Sequence, residues 1–352
     1  MIFFYNLLFV FVIGLIFKHK LSNPRYKKIY LIICFFQMAL IQGFRFYDVG
    51  TDTSSYVSVF DNYQTSKYYG YLFTHYEIGF QLLYEILKHF KASYTILLCV
   101  ISLIMMFGFG LFIYNNSVDV RFSVFLFACM FYPNSFNIMR QYLALSIAIN
   151  SYTFYKNDHI LKALIIILIS SFFHSTSLLL MIPLILFKIK HWKLIRNSIL
   201  VFSILLFMFS DSIIPNILNL LEKSYYISRY DVSQIFRLTT FLTMLFSLFF
   251  WYILHHKKSF LFNDYINHFT CIVYCNFAFG LLYLKYEYFS RLIELYNIFL
   301  LISMPFGIYI MKSYYRPLLK IAAYIIPIFI MINSVFNSGS GVENYRMFFM
   351  IM

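Results

Sequence analysis

The chain has 352 residues, of which 61% are hydrophobic, 22% aromatic and only 12% charged. A soluble domain carries about 25% charged residues, and a mean hydropathy of +0.74 excludes that class. The net charge of +14 would suit nucleic acid, but its placement along the chain, described below, excludes that partner.

Apolar runs near the ~20 residues needed to cross a bilayer recur over the whole length. The pattern predicts an all-α, polytopic integral membrane protein forming a single membrane domain, 1–352, with about 10–12 transmembrane helices. In chain order the predicted spans are 2–17, 29–44, 94–114, 122–133, 138–155, 160–173, 176–187, 196–210, 236–254, 266–284, 292–311 and 317–334. The first run lacks a basic region before it and a small-residue cleavage site after it, so it is expected to be a retained span. Runs 122–133, 160–173 and 176–187 are short and predict tilted spans or helices broken inside the protein.

The basic residues orient the chain. With the N-terminus outside, the cytoplasmic connectors are 18–28, the turn at Arg121, 156–162, 188–196, 255–264 and 312–320. These hold 17 of the 28 Lys and Arg but only Asp119, Asp158 and Asp264 among the 14 acids, so the whole excess of +14 lies on that side. The outward segments carry balanced charge. They include a loop over 45–93 and a second over 211–235, and an active site is expected to open there. Within the first loop, "HYEIGFQLLYEILKHF" (75–90) places its apolar residues at helical spacing and predicts an amphipathic helix on the outer surface.

Ionisable groups at membrane depth are costly and tend to mark function. Arg45 ends the second span, Arg140 begins an otherwise apolar helix beside Asn137 and Gln141, His174 sits between two short apolar runs, Arg237 opens the ninth span, and Arg291 and Glu294 open the eleventh. Several arginines at one depth suit an anion, because guanidinium grips phosphate oxygens in two-pronged fashion. Snorkelling to headgroups competes for Arg45, and an ordinary helical ion pair competes for Arg291 and Glu294. Arg237 reads as an interface anchor. His174 is followed by Ser175, Thr176 and Ser177, and a chain break there leaves backbone groups that need partners. In "GFRFYDVGTDTSSY" (43–56), Gly50 among Asp48, Thr51 and Asp52 is turn chemistry. Asp52 could cap a helix starting near Ser54 or take part in chemistry.

The five cysteines all fall in apolar runs and read as packed thiols. No nucleotide-binding, zinc-protease or serine-hydrolase motif is present, and neither a metal nor a cofactor is expected.

The stretches "FRFYDVGTDTSSY" (44–56), "YEIGFQLL" (76–83), "MRQYLALSIA" (139–148), "FFHSTSLLLMIP" (172–183), "SRLIELY" (290–296) and "YRMFF" (345–349) together resemble the EpsG family of Wzy-like polysaccharide polymerases. The resemblance implies a GT-C-like membrane glycosyltransferase of the bacterial cytoplasmic membrane. It would join undecaprenyl-diphosphate-linked oligosaccharide repeat units of a capsule, exopolysaccharide or O-antigen on the outward face. A flippase and a chain-length regulator are the implied partners, with the lipid bilayer itself. On this reading His174, Asp52 and Arg140 are catalytic candidates, and Arg45, Arg140, Arg291, Glu77, Glu294 and Gln141 bind diphosphate or sugar. The alternatives are a flippase for the same lipid-linked oligosaccharide and a ligase that transfers finished glycan.

Overall fold

The computed structural model describes residues 1–188, 192–220, 244–245, 247–249, 252, 263–286, 289–311, 314, 316–336 and 341–348. The described residues are helical, with one isolated antiparallel bridge between Arg45 and Met347. They cluster into two compact units, residues 1–179 with 313–352, and residues 180–312.

The first unit opens with α1 (Ile2–Phe17) and α2 (Pro24–Gly43). Asn23 accepts a hydrogen bond from the Arg25 amide and Pro24 supplies the first helical residue, so the start of α2 is fixed locally. Four short helices follow over the polar segment: α3 (Thr53–Asp61), α4 (Tyr63–Tyr68), α5 (Tyr71–His75) and α6 (Ile78–His89). The last is the predicted amphipathic helix. Phe80, Tyr84 and Leu87 are buried along one face, while Ile78, Leu82 and Ile86 are each more than half exposed.

The long α7 (Tyr94–Asn116) packs along α2. Then α8 (Val120–Leu126), capped by Asp119, runs into a π-helical turn, Phe127–Phe131, and a 3-10 turn, Asn134–Phe136. The predicted span 138–155 is divided into α9 (Met139–Ala148) and α10 (Ser151–Tyr155). After α11 (Ile160–Ser171) the chain breaks at His174 and continues as a 3-10 segment, Ser175–Leu180. An aromatic column, Phe109–Phe127–Tyr132–Phe136, runs through this unit with centroid spacings of 4.8 to 6.3 Å, and Phe3 packs against its end.

The second unit contains α12 (Met181–Lys188), α13 (Trp192–Met208), α14 (Ser210–Leu220), α15 (Asn263–Tyr283), α16 (Ser290–Asn297) and α17 (Leu300–Ile310). Buried Asn276 donates to Asn297 at 2.8 Å, joining α15 to α16. Asp211 accepts from Lys285 and Tyr286, both at 2.9 Å. The final helix, α18 (Arg316–Phe336), belongs to the first unit. Most of the predicted span 236–254, and residues 221–235 of the predicted loop 211–235, lie outside the described residues.

Among the described residues, α7 and α18 are each long and apolar enough to cross a membrane. The pair α16 and α17, bent by 47°, makes a third if counted as one span. Several other predicted spans coincide with apolar helices that are short or broken. At 1.5 Å per residue, the 16 residues of α1 and the 12 of α11 fall short of a ~30 Å hydrocarbon core. All five cysteines are free, and all but Cys99 are buried.

Candidate functional site

The residues just before α6 and the chain break after α11 meet in the first unit. Gly79 donates its backbone N–H to the Phe172 carbonyl at 2.7 Å. A Cβ on Gly79 would stand only 2.7 Å from that same oxygen, so no other residue permits this approach. The contact brings Glu77, the N-cap residue of α6, to His174. Glu77 makes no side-chain cap bond to its own helix. Its Oε1 instead lies 2.8 Å from His174 Nδ1 and accepts the Ser175 backbone N–H at 3.2 Å.

The other oxygen, Oε2, accepts from Arg140 Nη1 at 2.9 Å. Nη1 also donates to the His75 carbonyl at 2.8 Å. The Arg140 guanidinium lies 4.6 Å from the Tyr76 ring and 5.7 Å from the Tyr56 ring, an aromatic seat that favours arginine over lysine. Its Nε is buried and has no hydrogen-bond partner among the described residues. One carboxylate therefore bridges a histidine and an arginine, and all three side chains are about one-fifth exposed.

Burial by itself raises the Glu77 carboxyl, but the hydrogen bond and charge of His174 and the charge of Arg140 prevail and hold it down at about 2. Glu77 is thus ionised and acts only as an acceptor. His174 Nδ1 must then carry the proton and donate it. The opposite ring nitrogen, Nε2, has no hydrogen-bond partner among the described residues. With Nδ1 held by the carboxylate, Nε2 is the ring nitrogen open to a substrate, the geometry of a general base.

The serines after His174 satisfy the broken backbone. Ser177 donates its hydroxyl to the His174 carbonyl at 3.0 Å, and Ser170 donates to Ser177 at 2.8 Å. The predicted break is present, and its hydroxyls stabilise it in place of helical partners.

Asp52 is the N-cap residue of α3, but its carboxylate makes no cap bond. It stands one turn before Tyr56, which faces Arg140. The turn ahead of it is held by Asn137, whose Oδ1 accepts the Thr51 amide at 2.8 Å. Gly50 has φ +93°, and a Cβ there would meet Asn137 Oδ1 at 2.8 Å.

Arg45 sits beneath this turn with 0% exposure. Its Nη2 donates to Thr53 Oγ1 and the Phe136 carbonyl, both at 3.2 Å, and its guanidinium lies 4.8 Å from the Phe136 ring. Neither Nε nor Nη1 has a partner among the described residues. The C-terminal segment covers the site: Phe46 donates to the Arg346 carbonyl, Phe348 to the Phe44 carbonyl, both at 2.9 Å, and Tyr345 donates to the Ile41 carbonyl at 2.7 Å. Arg346 pairs with Asp48.

Gln141 is 3% exposed on α9. Arg291 and Glu294 are half-buried on α16 in the second unit. Arg237 lies outside the described residues. The sequence placed Glu77 among the diphosphate or sugar contacts. It missed that one carboxylate serves both Arg140 and His174, and it missed the tyrosines that seat Arg140. The only local signal was the run Tyr76-Glu77-Ile78-Gly79, whose glycine marks the close approach.

The model of the EpsG family matches residues 28–348. No curated protein and no solved structure matches the chain.

Proposed function

The chain belongs to the EpsG family, and on that premise we propose that it is a polysaccharide polymerase of the bacterial cytoplasmic membrane. Its substrates are oligosaccharide repeat units carried on undecaprenyl diphosphate, and it joins them on the outward face. The observation that carries this reading is the Glu77 bridge between His174 and Arg140.

In the proposed reaction the acceptor sugar hydroxyl loses its proton to His174 Nε2 as its oxygen attacks the anomeric carbon of the donor. The bond from that carbon to the diphosphate oxygen breaks. Undecaprenyl diphosphate leaves with the electron pair. Glu77 keeps its charge throughout and stabilises the imidazolium that forms. The proton taken up by His174 adds one positive charge to the cluster, which favours the departing anion. Arg140, about one-fifth exposed, faces the diphosphate with its guanidinium. Asp52, whose carboxylate is free of a cap bond, contacts a sugar hydroxyl. Arg45 supports the Asp52 turn through Thr53. Arg291, Glu294 and Gln141 are proposed diphosphate or sugar contacts, each open to separate substitution. A flippase supplies the substrate, and a chain-length regulator acts on the product.

The test is glycan analysis of a deletion strain, with lipid-linked sugars extracted and separated by size. A single repeat unit accumulating on the outer leaflet, without polymer, is the expected result. Units trapped on the inner leaflet would identify a flippase instead, and full-length polymer still on its lipid would identify a ligase.

A further inference from the structure

A groove of about 450 Å³ runs between α2 and α7, lined by side chains of the first unit alone. Its floor is apolar and includes Leu31, Phe35 and Gly110, with Phe107 on its rim at 71% exposure. Gly110 forms the notch: a Cβ there would stand 3.2 Å from the Phe35 ring. The lining runs from Lys28 to Ala39 along α2, about 17 Å at 1.5 Å per residue, close to the ~15 Å depth of one leaflet.

One end of the groove is basic. Lys27 donates to the Tyr114 carbonyl at 2.7 Å and Lys156 to the Asn115 carbonyl at 2.9 Å, so both cap the C-terminus of α7. Lys28 lies in the lining at the same end, is exposed, and has no partner among the described residues. An apolar channel one leaflet deep, with an uncommitted ammonium at the membrane surface and two more beside it, matches one class of ligand. We propose that this groove binds an anionic phospholipid of the leaflet at the Lys28 end, with an acyl chain against Phe35 and Gly110 and the phosphate at Lys28. The proposal does not depend on the polymerase reading, because no residue of the His174 cluster takes part.

The experiment is native mass spectrometry of the full chain in detergent, titrated with phosphatidylglycerol or with phosphatidylcholine of the same chains. One phosphatidylglycerol should be retained in preference to phosphatidylcholine. Lys28→Gln should cut that preference about fivefold, the worth of one lysine near an anionic headgroup. Gly110→Leu, which fills the notch, should weaken both lipids alike. Lys28 is exposed, so its variant keeps the test valid even if Gly110→Leu fails to fold. Equal retention of the two lipids, or an unchanged preference in Lys28→Gln, would overturn the proposal. So would displacement of phosphatidylglycerol by equimolar undecaprenyl phosphate, or a dimer that Gly110→Leu dissociates.

Discussion

His174 Nδ1 lies 2.8 Å from Glu77 Oε1, across 97 residues of chain. The same carboxylate holds Arg140 with its second oxygen. Glu77 is thus a positioning residue for both a base and a cation, and its removal should be felt at both. Glu77→Gln preserves shape but can no longer enforce the tautomer of His174. Polymer made by a complemented deletion strain should fall by about a hundredfold or more, with the protein still present in the membrane. Polymer at the parental level would remove His174 from the role of base.

Arg140 uses Nη1 to reach the His75 carbonyl and Glu77 together, and its flat guanidinium lies over Tyr76. A lysine keeps the charge but loses the flat stacking on Tyr76. Arg140→Lys should therefore lower polymer roughly tenfold or more. Gel profiles that matched the parent would show that a point charge suffices there.

The pH dependence of stability has a definite sign. Glu77 is held at about 2 in the folded chain against an ordinary 4.5. A depressed carboxyl contributes stability above its unfolded value and loses it as pH falls toward the folded one. The difference in thermal stability between the parent and Glu77→Gln in detergent should be constant above about pH 4.5 and shrink between there and pH 2. A difference that grew on acidification would contradict the ion-paired state.

Gly79→Ala tests the docking of α6. The added methyl meets the Phe172 carbonyl, and the overpacking should cost about 1–3 kcal/mol. It should also move Glu77 away from His174, so activity should drop more than the remaining folded protein accounts for. A melting temperature and polymer yield equal to the parent would show that the contact is loose.

The C-terminal segment offers a contrast of magnitudes. Tyr345 makes a part-buried hydrogen bond to Ile41, and Tyr345→Phe should cost about 1 kcal/mol. The Arg346–Asp48 pair is 54% and 38% exposed, so Arg346→Ala should cost less, within the 0–1 kcal/mol of exposed pairs. Thermal unfolding of the two variants side by side checks the order, and a larger loss for Arg346→Ala would reverse the assignment of what holds the segment down.

The sequence by itself determined the class of molecule. Hydropathy points to a helical membrane protein, and period 3.6 in residues 75–90 is enough for an amphipathic helix, found at Ile78–His89. The break at His174 was legible because serine and threonine hydroxyls, which compete with helical hydrogen bonds, crowd one turn. These are local properties, set by neighbours along the chain.

Tertiary structure alone decided which polar groups meet. Glu77, Arg140 and His174 are far apart in sequence, and only the close approach at Gly79 brings the first to the third. Arg45 and Arg140 look alike in sequence, each an arginine at one end of an apolar run. The fold seals Arg45 under the C-terminal segment and leaves Arg140 part-exposed beside a carboxylate. The physical reason is that charge and hydropathy are carried by single residues, whereas burial and pairing depend on which backbones can come close enough to touch.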